Sequence, residues 1–244
     1  MTNASPPCNP HADLVALDYP LTNLHESLTR QRAVKIVAIG SSSTAGEGGI
    51  VPFPARLELA LRNRYPGHVI DVLNKGVGGQ EAPEELARFE SDVITEAPAM
   101  VIWQVGTNAI FHRPLYDLHA VARDIATGVN RLKKLPTDVV LMDPQYVPAL
   151  FEDDHGNKDP QKEADTRLMV SLIADVAGNE AVNLFRRFKL METWRTDDGM
   201  TMNDLIDPSD GLKLHMNEWA TQCVSAALDL AIGAAVGPLP PPPA

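Results

Sequence analysis

The sequence predicts a three-layer α/β/α domain built on a five-stranded parallel sheet, and three observations carry that expectation. Five short apolar runs recur along the 244 residues. Segments with helical spacing separate them. The runs are apolar throughout rather than alternating, as suits strands covered on both faces. Strand–helix alternation of this kind points to a layered α/β domain with one core.

The runs are "KIVAIG" (35–40), "VIDVLN" (69–74), "MVIWQVG" (100–106), "DVVLMD" (138–143) and "AVNLF" (181–185). Between them, "FPARLELALRNRYPG" puts Leu57, Ala60 and Leu61 on one side and ends at Pro-Gly. "APEELARFESDVITEAP" (82–98) has Pro83 and acids in its first turn, where a helix N-terminus favours them. "LHAVARDIATGVNRLKKL" ends on Lys133 and Lys134, the favoured sign for a C-terminus. "KEADTRLMVSLIADVAG" closes on Gly178, and "NEWATQCVSAALDLAIGAA" is the last helix. Residues 1–33 read as an N-terminal arm, 34–234 as the domain, and 235–244, ending in "GPLPPPPA", as a proline-rich extended tail. The stretch "QYVPALFEDDHGNKDPQKEA" (145–164) lacks apolar periodicity and reads as a long loop able to overhang a site, with Trp103 as another candidate for shaping the substrate side.

Composition narrows the function. Lys and Arg number 21 against 32 Asp and Glu, a formal charge of -11. Such a chain repels phosphate backbones and anionic lipid, so nucleic acid and membrane surfaces are poor partners. No apolar run reads as long enough to span a bilayer. The N-terminus has neither a basic start nor an apolar core, so it is not a signal peptide. Cys8 and Cys223 match no metal-site spacing. They are either two unrelated thiols or a bridge pinning the arm to the last helix. The chain as it stands reads as cytoplasmic; a trimmed leader together with that bridge would make it periplasmic or secreted.

Ligands of a parallel sheet bind beyond the carboxyl ends of its strands. Gly40-Ser41-Ser42-Ser43-Thr44-Ala45-Gly46 follows the first run, "NKGVGGQ" (74–80) the second and Gly106-Thr107-Asn108 the third. These turns offer a serine hydroxyl, backbone N–H groups and an amide. With a histidine they are the parts of an acyl-transfer site. "DPSDGLKLHMNEW" supplies the histidine, His215, which follows Asp207 and Asp210. The glycine-rich stretches lack the lysine of a phosphate loop and the full dinucleotide fingerprint, and "EDDHGNKD" lacks calcium-loop spacing.

Together these blocks resemble the SGNH (GDSL-type) hydrolases. That family's Gly-Asp-Ser-x-Thr-x-Gly falls on Gly40–Gly46, Asn-x-Gly-x-x-Gly on Asn74–Gly79, and Gly-x-Asn on Gly106–Asn108. The resemblance implies a flavodoxin-like fold and a serine esterase, with Ser42 as nucleophile, His215 as base, and Gly79 and Asn108 as oxyanion donors. It implies no metal or organic cofactor. Substrates would be small-molecule or glycan esters, with short acyl or acetyl groups preferred at small-residue turns. Two departures stand out: Ser41 occupies the place of the family's Asp, and the family's Asp-x-x-His spacing is stretched. Asp210 precedes His215 by five and is the expected acid, through a bulged turn at Gly211, with Asp207 in reserve. These departures motivate two rivals. One is an inactive carbohydrate-binding or scaffolding relative, and the other is a structural domain whose proline-rich tail recruits a partner. Ser43 or Thr44 is the expected cap of the helix after Ser42.

Overall fold

A computed structural model describes residues 7–240, apart from Glu47 and Asp154. Two helices, α1 (Ala12–Val15) and α2 (Thr22–Arg30), precede β1 (Ala33–Gly40). Then come α3 (Ser42–Ala45), α4 (Phe53–Arg64), β2 (Val69–Gly76), α5 (Ala82–Ala87) and β3 (Met100–Gln104). Next are α6 (Thr107–Phe111), α7 (Leu118–Leu132), β4 (Asp138–Met142), α8 (Pro160–Glu180), β5 (Asn183–Phe185), α9 (Arg187–Thr196) and α10 (Glu218–Val236). The five strands form one sheet in the order β2-β1-β3-β4-β5, and every pairing is parallel.

That order reverses between β1 and β3, so their connections leave in opposite directions and open a crevice at the carboxyl edge. Right-handed crossovers send α4 to one face, where it packs against α10. The crossovers on the other side of the switch put α5, α7 and α8 on the opposite face. The sheet is therefore covered on both sides, and this is why β1, β3 and β4 are apolar without alternation. Ile36 to Ile39, Met100 to Trp103 and Val140 to Met142 are all fully buried.

Several elements depart from the sequence reading. The expected arm, described from residue 7 onward, contains α1 and α2, and Val15, Leu21, Leu24 and Leu28 join the central core. Asp138 anchors α2 by accepting from the backbone N–H groups of Asn23 and Leu24. The single helix expected over 82–98 breaks after α5 and resumes as a π-helical turn, Glu90–Ile94, with Phe89 and Val93 both fully buried. Helix α8 runs past Gly178 to Glu180, and β5 is only three residues long. Helix α9 was not expected, because Arg187 interrupts its apolar pattern although it is fully buried.

By length and composition alone, α10 is apolar enough to cross a membrane, a test that a buried core helix also meets. Its apolar character serves the core instead: Cys223, Val224, Ala227, Leu228 and Ile232 are fully buried. Cys223 is bonded to Cys8, with Cα atoms 5.5 Å apart, so the first described residues are fastened to this helix. Trp194 adds a second tie, its Nε1 donating to the carbonyl of Asn9 at 2.7 Å.

Candidate active site

The turn that carries Ser42 follows from strand β1 ending at Gly40. A side chain there would collide with Thr44 and Gln104, so only glycine lets the chain turn directly into α3. Ser42 is the first residue of that short helix and is almost buried. Its Oγ lies 3.0 Å from Nε2 of His215. The imidazole Nδ1 lies 2.9 Å from Oδ2 of Asp210. The three residues expected to act together therefore form one continuous relay.

Asp210 reaches His215 because the loop between them folds back on the carboxylate. Its Oδ2 also accepts from the backbone N–H groups of Leu214 (2.8 Å) and His215 (2.7 Å), and Oδ1 accepts from Leu212 (3.0 Å). Burial pushes this carboxyl up, but the three N–H groups and the imidazole outweigh it, and the group sits below its ordinary value. The turn expected at Gly211 is present, closed by the Lys213 N–H donating to the Asp210 carbonyl at 3.0 Å, and Lys213 at its end takes a left-handed φ of 53°. The bridge between Ile206 and Met216 closes the loop's base. Asp207, the reserve acid, faces away from the imidazole: its carboxylate accepts from Ser209, and only its backbone N–H touches His215, at the carbonyl.

The two turns expected to supply oxyanion donors are joined to the Ser42 turn and to each other. Gly76 packs so tightly on Ala45 that a Cβ would overlap its backbone, and Asn74 Nδ2 donates to the Ala45 carbonyl. Gly79 has a φ of 78°, which glycine alone adopts freely. Asn108 is buried and donates through Nδ2 to the Gln80 carbonyl at 2.7 Å, leaving its second amide hydrogen for another acceptor.

Three buried side chains that the sequence reading did not single out hold these turns. Gln104 Oε1 accepts from Ser41 and from Thr44 Oγ1. Gln145 Oε1 accepts from Ser43 Oγ and Thr107 Oγ1, and its Nε2 donates to the Leu214 carbonyl. It thereby touches the sequence neighbours of Ser42, Asn108 and His215. Glu81 receives backbone N–H groups from both donor turns. The signal for Gln104 was a lone amide ending an apolar strand. The other two carried no local pattern.

Other expectations need correction. Neither Ser43 nor Thr44 caps α3, since both hydroxyls are taken by the two glutamines. Trp103 does not border a substrate. It is fully buried against Phe89, with Nε1 donating to Glu85. The supposed overhanging loop is core from Gln145 to Phe151, because Tyr146, Phe151 and Phe188 stack together.

A narrow cleft of about 20 Å³ lies beside Ser42 and His215, with Gly46, Ile50, Pro52, Met216 and Thr221 around it. Larger hollows lie elsewhere, one of about 440 Å³ near Arg30 and Lys35 and one of about 600 Å³ near Phe151 and Arg195. Neither contains Ser42, His215 or Asp210.

The profile of the Non-GDSL lipase-like family matches residues 7–238. A stretch of 134 residues is 29% identical to an acetylxylan esterase of Geobacillus stearothermophilus, covering 46% of this chain and 60% of that protein. The chain thus spans about three fifths of that relative's length. The crystal structure of Axe2, an acetylxylan esterase from the same organism, superposes with a TM-score of 0.65 at 21% identity, over 82% of this chain and 94% of that one. LAE5, an alpha/beta hydrolase enzyme from the metagenome of Lake Arreo, Spain, gives 0.65 at 18% identity, over 82% and 96%. At these identities the superpositions show a shared fold. The kinship expected with GDSL-type hydrolases holds at a coarser level, as a GDSL-like relationship, because the matched family is set apart by its own description. With its profile matched along nearly the whole length, this chain belongs to the Non-GDSL lipase-like family.

Proposed function

We propose that this chain hydrolyses small acyl esters, acetyl esters of carbohydrates foremost, through an acyl-enzyme formed on Ser42. The observation that carries the reading is the relay Asp210–His215–Ser42, with contacts of 2.9 and 3.0 Å. In this reading His215 Nε2 takes the Ser42 proton as Oγ attacks the ester carbonyl. Asp210 holds Nδ1–H and stabilises the imidazolium. The oxyanion is met by the N–H groups of Ser42 and Gly79 and by the amide of Asn108. The imidazolium then passes its proton to the departing alcohol. Water, deprotonated by His215, attacks the acyl-serine, and collapse releases the acid and restores the hydroxyl. Ester plus water becomes acid plus alcohol, with no further reactant.

The acetyl preference is supported by the acetylxylan esterase to which part of the chain is similar. Solved forms of Axe2 described as catalytic mutants replace a serine, a histidine and an aspartate by alanine, the same three residue types. The Cys8–Cys223 bridge supports residence in an oxidising compartment. The test is hydrolysis of p-nitrophenyl acetate and of acetylated xylo-oligosaccharides by the wild type and by Ser42→Ala. The reading expects turnover that the variant loses. No turnover of either ester by the wild type would return the chain to the inactive, carbohydrate-binding alternative.

A further inference from the structure

We propose that Glu81 is a positioning residue that sets the Asn108 amide for the oxyanion, an inference that rests on the hydrolase reading above. Glu81 is 1% exposed, and a buried carboxylate is costly unless its oxygens are filled with donors. Those donors come from two separate turns. Oε1 accepts from the N–H groups of Ala82 (3.0 Å) and Gly106 (2.8 Å), and Oε2 accepts from Ala109 (2.9 Å). One side chain thus ties the start of α5, three residues beyond Gly79, to both sides of Asn108. The adjoining Gln80 carbonyl takes one hydrogen of the Asn108 amide at 2.7 Å, which fixes the plane of that amide and the direction of its other hydrogen.

Two effects of the carboxylate oppose each other. Its hydrogen bonds fix the donor turn, whereas its charge opposes a developing oxyanion. Positioning is the larger effect in this proposal, and Glu81→Gln decides the matter. The substitution keeps the size, removes the charge, and turns an N–H₂ group toward backbone N–H groups.

A capping role alone must also be separated. Glu81 and Glu84 form a reciprocal cap at α5, in which the Glu81 N–H donates to Glu84 Oε2 at 3.1 Å. Glu84→Ala weakens the cap and leaves the Glu81 carboxylate in place. The experiment measures kcat, KM and Tm on p-nitrophenyl acetate for Glu81→Gln, Glu84→Ala, Asn108→Ala and the double variant Glu81→Gln/Asn108→Ala. Expected is a fall in kcat of about ten- to a hundredfold for Glu81→Gln with KM within about twofold, below the ~10²–10³ typical of a lost oxyanion donor itself. Glu84→Ala lowers Tm and leaves kcat unchanged. In the double variant the Glu81 effect shrinks toward onefold, because Glu81 acts through Asn108. Glu81→Asp, one methylene too short to reach both Gly106 and Ala109, carries the same readouts if the glutamine variant does not fold. An unchanged or raised kcat in Glu81→Gln, or full additivity with Asn108→Ala, overturns the proposal while leaving wild-type hydrolysis, and so the hydrolase reading, intact.

Discussion

Gln104 Oε1 accepts both the backbone N–H of Ser41, at 3.2 Å, and its hydroxyl, at 3.1 Å. Ser41 stands where the GDSL signature has an aspartate, and this amide is its partner. Restoring the acid by Ser41→Asp sets a buried carboxylate against an acceptor oxygen. Rotating the amide relieves that clash but leaves the Ser41 N–H facing a donor. Either way one buried group loses its partner, and the variant should be less stable by about 1–3 kcal/mol in chemical denaturation. Unchanged stability would mean that the Gln104 contact is dispensable.

Asp210 and Asp207 should separate cleanly in kinetics. Asp210→Asn leaves His215 without its anion and is expected to lower kcat on p-nitrophenyl acetate by about 10²- to 10⁴-fold, with residual turnover above the Ser42→Ala background. Asp207→Asn should change kcat by less than about threefold, since among the described residues its carboxylate hydrogen-bonds Ser209 and not His215. The reverse ranking would reassign the acid.

Asp143 makes stability fall with rising pH. Burial pushes its carboxyl up to about 7, against the Phe188 N–H and the nearby Arg187 charge. Between the unfolded value near 4 and this folded value, the native state keeps a proton that the unfolded chain releases. Stability from this group is therefore complete below pH 4 and declines as pH rises to 7, by at most about 4 kcal/mol. Asp143→Asn should flatten Tm against pH between 5 and 7. The slope is the diagnostic, because the variant also changes the group beside Arg187 and the Phe188 N–H. Asp210 acts in the opposite sense: its folded value is depressed, so its contribution is present above the unfolded carboxyl value and is lost as pH falls through the folded one.

Reducing the bridge between Cys8 and Cys223, or replacing both by serine, should lower stability by about 2–4 kcal/mol. Trp194 still holds Asn9, so folding persists. Turnover by the folded protein should be unchanged, since no residue of the relay touches either sulfur. A loss of kcat without a loss of Tm would mean that the bridge shapes the site.

Much of this architecture was legible because burial on both faces writes strands as unbroken apolar runs, as in Val101-Ile102-Trp103. The relay residues were legible because Ser42 follows the first strand at once and His215, with Asp210 shortly before it, leads into the last helix. What stayed hidden depends on distance along the chain. Gln145 meets Leu214 across 69 positions, and Glu81 meets Ala109 across 28, so no local spacing announces either. Helix α9 hid because its inward face includes the buried Arg187, whose Nε donates to the Asp143 carbonyl, so that periodicity read as polar what packing makes internal. The stretched acid–histidine spacing looked like a defect. It is absorbed by Lys213, whose left-handed backbone turns two extra residues into a tighter wrap around Asp210.

Because a covalent bond joins positions 8 and 223, 215 residues apart, almost the entire polypeptide is a closed ring. A protease that nicks an outlying turn, such as the exposed stretch at 155–157, yields two fragments that stay in one piece until a reductant is added. On a non-reducing gel the clipped and whole forms should migrate as molecules of equal mass.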